Sequence, residues 1–595
     1  MKTSILPTSI ICLTFQLIIT INILTSLNAH RGCGLHLLKD NPKVKINLHG
    51  NENPEISKLR YLQADWQPIR IYIDYTQLDS QTTVDAAKRA GLKKVVDKSK
   101  LMYESLLNVK RLTKKLTVNT CDDAVVGEVL KTTGVDADIV IFPHFEPSYT
   151  DSTEAAASFC AQDQTTGRPL VGYMKYSIGL FDVVKTNWEE YYFALTFHEM
   201  AHILVFNESL FDSYINNTTG KFLTKSDVTT TETINGILRT LIKTPKVVAS
   251  AKFHFGCSTL TGVEVENQGG SGTKGSHWEA RTMLGEYMIG ESYDDAIISD
   301  MTLSLFEDSG WYTTNRFTGG LFRHGKNEGC DFLNKKCIIN DKSNFPNEFC
   351  PQQSASTCTS GRLSKGSCSL SNAPANLDAN YKYFSSGLVG NTKADFCPNS
   401  SSPSSNSAHF AQKCSAGGVT DLPSGLNEVV SNDSACFHSS IKDSSNQSHQ
   451  SLNNFTICYK YSCDSVLRKV NVTIGSKTLN CPTAGGPLEV TEGTTSGTLW
   501  CPDYNLLCTK SAACTNMYDC IANRSLGLVP NYDYTVGQIT SFSVGAATTA
   551  PTQSPAPAQS PITTAPSSTP ASGSKANMIY SSLNILFAAL FALLI

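Results

Sequence analysis

Residues 194–206 read ALTFHEMAHILVF. Apolar side chains dominate this stretch, yet two histidines and a glutamate interrupt it. On a helix, residues four apart share a face. His198 and His202 therefore point their imidazoles the same way and can share one metal ion. Zinc accepts nitrogen ligands at about 2.0–2.1 Å in a tetrahedron. Glu199 lies one residue from the first histidine, close enough to act as general base on a water at the open position. This H-E-x-x-H spacing is that of metal-dependent peptide hydrolysis. The bland alternative is two surface histidines with a solvated glutamate. Leu195, Phe197, Ile203, Leu204 and Val205 oppose it, because they make the helix largely buried. Ionisable groups in such a helix need partners, and one zinc ion per chain with its water supplies them.

Such a centre needs a third protein ligand, and the chain has 12 histidines. The candidate is His277, in GSHWEARTMLGEYMIG. It follows the glycine-rich NQGGSGTKGS, a bend able to return the chain to the helix. Taken alone, a single histidine after a loop is more often structural.

Working outward, PIRIYIDY (Pro68–Tyr75) alternates like a first strand. Residues 84–109 carry apolar residues at helical spacing. ADIVIFPHF (Ala137–Phe145) and GRPLVGYMKYS (Gly167–Ser177) read as further strands, and DMTLSLFEDSGWY as a helix capped by Asp300 and stopped at Gly310. Strand, helix, strand, strand and the histidine-bearing helix make an α+β domain, or a mixed α/β one. Residues 30–64 have little periodic pattern and read as a propeptide. The N-terminal catalytic part is 65–205. A central part, 206–325, brings the third histidine. From 326 to 545 the composition turns to Ser, Asn and Cys, as in a disulfide-rich, mainly β domain.

The ends of the chain speak about its location. Residues 1–29 combine Lys2, an apolar run and a small-residue end, the pattern of a signal peptide. Residues 546–574 are rich in Pro, Thr, Ser and Ala and read as an extended stalk. Residues 575–595 end in an apolar tail preceded by Ser572, Gly573 and Ser574, which fits a GPI-anchor signal; a short membrane tail is the alternative. Twenty cysteines agree with export. Without Cys12 and Cys33, 18 remain, enough for nine disulfides. Three of them precede the Cys-rich region, so at least one bridge must tie the earlier part to the later. Nine N-x-S/T sequons, among them Asn207 and Asn399, are candidate glycosylation sites on surface loops. With a net charge of -3 and no long basic run, nucleic-acid binding has no electrostatic support.

These features together resemble the leishmanolysin family, GPI-anchored surface zinc proteases of the metzincin clan. The resemblance rests on His198-Glu199-x-x-His202, the long insertion, GSHWE and Met288 eleven residues after His277. HRGCG (His30–Gly34), CAQDQTTGRPLVGYMKYS, TLSLFEDSGWY and NEGCDFLNKKC extend it. The resemblance implies a metzincin-type catalytic domain, with a twisted mixed sheet and an active-site helix. It implies His277 as third ligand, Met288 as the Met-turn beneath the zinc, and Cys33 as a cysteine switch that silences the zymogen. It also implies an edge strand of the sheet that pairs with extended substrate, and Leu170–Lys175 is the strand expected to border the cleft. One position departs from the family pattern: Val205 stands where metzincins carry glycine. Either the helix runs on and turns later, near Asn207, or the site is strained.

The expected protein is thus an exported zinc metalloendopeptidase, held by GPI on the outer cell surface and acting on extended polypeptides. A non-catalytic adhesin of the same fold, and a metal-free coat protein, are the rivals. The sequence leaves the oligomeric state and the cleavage preference open.

Overall fold

The computed structural model describes residues 32–33 and 43–508, apart from 49, 51, 150–152, 185–187, 269–272, 292–295, 316–321, 351–353, 402–411, 415–417, 421 and 453–454. For residues 32 and 33 this is the backbone alone. The signal peptide, the stalk and the anchor signal expected at the two ends lie outside the described residues.

The principal sheet is built from β1 (Gly32–Cys33), β2 (Val44–Ile46), β3 (Ile71–Ile73), β4 (Ile139–Glu146), β5 (Thr153–Asp163) and β6 (Pro169–Ser177). Its order is β3-β4-β6-β5, and β1 and β2 both pair with the outer side of β5. β3, β4 and β6 run parallel. β5 is antiparallel to β6, and β1 and β2 are parallel to β5. Side chains alternate between faces along a strand, and here both faces are covered. Ile139, Ile141 and Phe145 of β4 join the core that holds α1 (Ala86–Leu106) and α2 (Trp188–Leu204). Val140 and Phe142 join a second layer with Leu116, Val118 and Leu170. Burial on both sides explains why β4 and β6 read as nearly continuous apolar runs.

α1 buries Leu92, Val95, Val96, Ser99, Met102, Tyr103 and Leu106, a helical stripe, and its N-terminus is capped by the Asp85 carboxylate. α2 is buried all round from Leu195 to Leu204. It packs against β5 and β6. The approach is close at Gly172, where a Cβ would lie 2.3 Å from Ile203 Cγ2. The missing side chain lets the helix settle on the sheet.

The segment Leu170–Lys175 belongs to β6, an interior strand between β5 and β4, so its main chain is already paired on both sides and it is not the edge strand that takes up substrate. The antiparallel strand beyond it is β5, which went unread. Its TEAAASFCAQD has three consecutive alanines and only one β-branched residue, so tertiary context rather than propensity makes it a strand. The segment 30–64, expected to lack pattern, contributes β2 and a helix at Pro54–Gln63, opened by Asn53 as cap and proline in the first turn.

Beyond α2, a three-stranded antiparallel sheet in the order β9-β8-β7 is formed by β7 (Thr229–Ile234), β8 (Ile237–Ile242) and β9 (Val263–Val265). α3 (Pro245–Phe255) ends at Gly256 with φ 69°, the left-handed C-cap that glycine permits. α4 (Asp300–Asp308) is capped by Ser299, not Asp300: the Ser299 hydroxyl accepts from the Thr302 N–H at 3.2 Å. Ser299 keeps extended backbone angles, as a cap requires, while Asp300 is already helical.

Residues 434–501 build a seven-stranded antiparallel sheet with its own apolar cluster around Phe437, Ile457, Val472 and Leu499. Phe332, Phe349 and Cys397, by contrast, pack into the core that holds α2. Among the described residues, eight disulfides join Cys121–Cys160, Cys257–Cys330, Cys337–Cys397, Cys350–Cys368, Cys358–Cys436, Cys414–Cys458, Cys463–Cys508 and Cys481–Cys501. Cys257–Cys330 is the expected tie between the earlier and later parts. Cys514 and Cys520 lie outside the described residues. Asn207 and Asn399 are buried, so these two sequons do not sit on surface loops. Among the described residues, no helix is long and apolar enough to cross a membrane.

Candidate metal centre

α2 delivers His198 and His202 to one face, as the four-residue spacing requires. The chain returns 75 residues later with His277, just before Trp278, which bridges β9 at Val265. The His202 Nε2 atom lies 3.0 Å from His198 Nε2 and 3.1 Å from His277 Nε2. All three rings are buried.

The outer nitrogens decide how these rings are protonated. His198 Nδ1 lies 2.6 Å from the Tyr287 carbonyl, His202 Nδ1 2.7 Å from that of Phe206, and His277 Nδ1 2.8 Å from that of Thr273. A carbonyl only accepts, so each Nδ1 must carry the proton. In a neutral ring Nε2 is then a bare lone pair. Burial keeps the rings neutral: it pushes His198 down to about 4 and holds His202 and His277 well below the usual histidine range. Three lone pairs gathered within 4.8 Å of one another, that of His202 at 3.0 and 3.1 Å from the other two, repel unless a cation stands between them. Nitrogens on a zinc tetrahedron stand about 3.3 Å apart, so the donor set fits that ion. The paired outer nitrogens are the support that metal-ligating histidines need to hold their tautomer and orientation.

Among the described residues, two other groups of potential ligands differ from this one. Asp123, His144 and Glu146 come together on the sheet face away from α2, and Asp395 meets Glu264 and Glu279. Each already holds an internal cation. Lys175 Nζ lies 2.8 Å from both Asp122 and Asp123. Arg239 lies 3.0 Å from Glu264 and 3.7 Å from Asp395. Only neutral nitrogens make up the histidine group.

The remaining expected site residues fall as follows. Glu199 is fully buried on α2, between the two histidines. Met288 is fully buried. Its carbonyl accepts from the Trp278 N–H at 2.9 Å, so the turn carrying it lies against the His277 segment. The Cys33 backbone pairs beside Ala155 of β5, and its side chain lies outside the described residues.

Val205 resolves in favour of the later turn. It is fully buried and is not among the residues with positive φ. Both Val205 N–H and Phe206 N–H bond to the Ala201 carbonyl at 2.8 Å. Asn207 then stops the helix in an extended conformation and caps the following turn through Ser209 N–H. The same bend aims the Phe206 carbonyl at His202. Substituting Val205→Gly is therefore expected to destabilise the protein by about 2–4 kcal/mol, through lost apolar burial and added backbone freedom. Thermal or urea unfolding measures this, and a variant as stable as wild type would reveal strain at this position.

What sequence reasoning missed was the set of main-chain acceptors at Phe206, Thr273 and Tyr287. Carbonyls are common to every residue, so no side-chain signal marks them.

A family model described as leishmanolysin, peptidase M8, matches residues 81–514. A leishmanolysin homolog of Crithidia fasciculata is 36% identical over 206 residues, covering 34% of this chain and 30% of that protein. Leishmanolysin of Leishmania donovani is 28% identical over 388 residues, covering 63% of this chain and 61% of that protein. A leishmanolysin-like peptidase of Drosophila pseudoobscura pseudoobscura is 27% identical over 419 residues, covering 60% of each chain. The chain thus spans less than two thirds of each of these relatives.

Proposed function

This chain belongs to the leishmanolysin family, a family of zinc metalloproteases, and from that premise we propose that it is a zinc metalloendopeptidase cleaving extended polypeptides at the cell surface. The observation that carries the reading is the meeting of three neutral, buried imidazoles through their Nε2 atoms. His198, His202 and His277 hold the zinc. When bound there, the ion supplies Lewis acidity, to a water and to the scissile carbonyl. Glu199 takes the proton of the attacking water on its carboxylate and passes it to the leaving amine, so no covalent link to the enzyme forms. Met288 is the Met-turn and Cys33 the residue that silences the precursor. The outer edge of β5, which β1 and β2 of the segment 30–64 occupy here, is where an extended substrate pairs through main-chain hydrogen bonds once that propeptide has been removed. Export rests on the sequence of residues 1–29, and the GPI anchor on residues 572–595. The strain that would have favoured a non-catalytic adhesin is missing at Val205.

A peptide-library digest before and after zinc removal tests the reading. Cleavage is expected to stop when a chelator strips the metal and to return on adding zinc. Cleavage that persists in metal-free protein would overturn it.

A further inference from the structure

Glu286 is a carboxylate with no solvent exposure, lodged two residues before Met288. Burying a carboxylate is costly unless donors surround it. Here they do. Its Oε2 accepts from the Met288 N–H at 2.5 Å. Its Oε1 accepts from the Ser299 N–H and hydroxyl, each at 3.0 Å, and from the Thr302 hydroxyl at 2.5 Å. The Thr302 hydroxyl in turn accepts from Trp278 Nε1–H at 2.8 Å.

These bonds join three segments. One is the turn at 286–288, whose Tyr287 carbonyl holds His198 Nδ1. The second is the start of α4, through its cap Ser299 and through Thr302. The third is the strand-like stretch at Trp278, the residue after His277, whose N–H also binds the Met288 carbonyl. His202 is anchored within the end of its own helix. His198 depends on the Tyr287 carbonyl, far along the chain. His277 binds the Thr273 carbonyl four residues before it, but the Trp278 that follows it is tied to the turn at 286–288. The segment that holds His198 and the segment that carries His277 thus meet at Glu286.

We propose that Glu286, relayed by the Thr302 hydroxyl to Trp278, is a positioning residue for the metal centre, fixing His198 and His277 relative to each other. This rests on the zinc reading above. The relay is distinct from packing, since a hydroxyl at 302 both donates to the carboxylate and accepts from the indole. Valine has nearly the shape of threonine but cannot do either. Serine can do both but lacks the methyl.

The test uses Thr302→Val and Thr302→Ser in the full chain, because Glu286→Gln could fail to fold. Zinc affinity is measured by competition with a chelator, and the melting of the metal-free protein is recorded alongside. Loss of a supporting hydrogen bond to a metal site typically costs about 10–100-fold in affinity. Thr302→Val is expected to lose that much, and Thr302→Ser to bind zinc close to wild type even if its melting point falls. Equal weakening in both variants, or wild-type affinity in Thr302→Val, would overturn the inference and leave the zinc reading intact. A wild-type chain that binds no zinc would overturn both.

Discussion

Glu199→Gln is expected to lower kcat/KM for peptide hydrolysis by about 100- to 10,000-fold, the usual worth of a positioned general base. Zinc content should stay at one ion per chain. The two side chains have the same shape, so the fully buried site on α2 keeps its packing. The amide, however, cannot accept a proton from water at neutral pH. Metal analysis, unfolding and steady-state kinetics on one preparation separate these effects. A variant that hydrolyses as fast as wild type would remove Glu199 from the mechanism. Wild-type protein that binds zinc but cleaves nothing would instead restore the adhesin reading.

His277→Ala should have a larger effect on the metal itself. It removes one of three ligand nitrogens and leaves the other two on their helix. The fall in zinc affinity should exceed the about 10–100-fold that accompanies loss of a hydrogen bond behind a ligand. Peptidase activity should become undetectable at zinc concentrations that saturate wild type. His277 is fully buried, so some loss of stability is expected as well. Chelator competition on folded protein, checked by circular dichroism, isolates the binding term. Unchanged zinc affinity would mean that another side chain completes the set.

How far the sequence could be read depends on the range of the interactions. His198, Glu199 and His202 were legible because helix periodicity is local and five residues contain the whole pattern. His277 was legible only with the resemblance carried by GSHWE and its spacing to Met288, because a histidine after a glycine-rich bend is by itself more often structural. The order of strands is not local at all. Nothing in the period of Leu170–Lys175 says that a further strand lies outside it, and alanines at 155–157 hid that strand. The helix at Pro54–Gln63 escaped because its Ile56 and Leu59 are exposed, which breaks the expected apolar stripe. The cap of α4 was misplaced by one residue since Ser299 and Asp300 are both competent caps. Val205 showed the limit of motif reasoning. The glycine of the family pattern performs a turn, and here the turn is made two residues later, at Asn207, by ordinary backbone angles.

Gly172 carries a mechanical consequence. The helix that presents two imidazoles rests on the sheet at a point where one hydrogen replaces a side chain. The third imidazole arrives on a segment with a different footing. The gap between helix and sheet thus works as a shim: thicken it by a single methyl, and two nitrogens rise together while the other stays put.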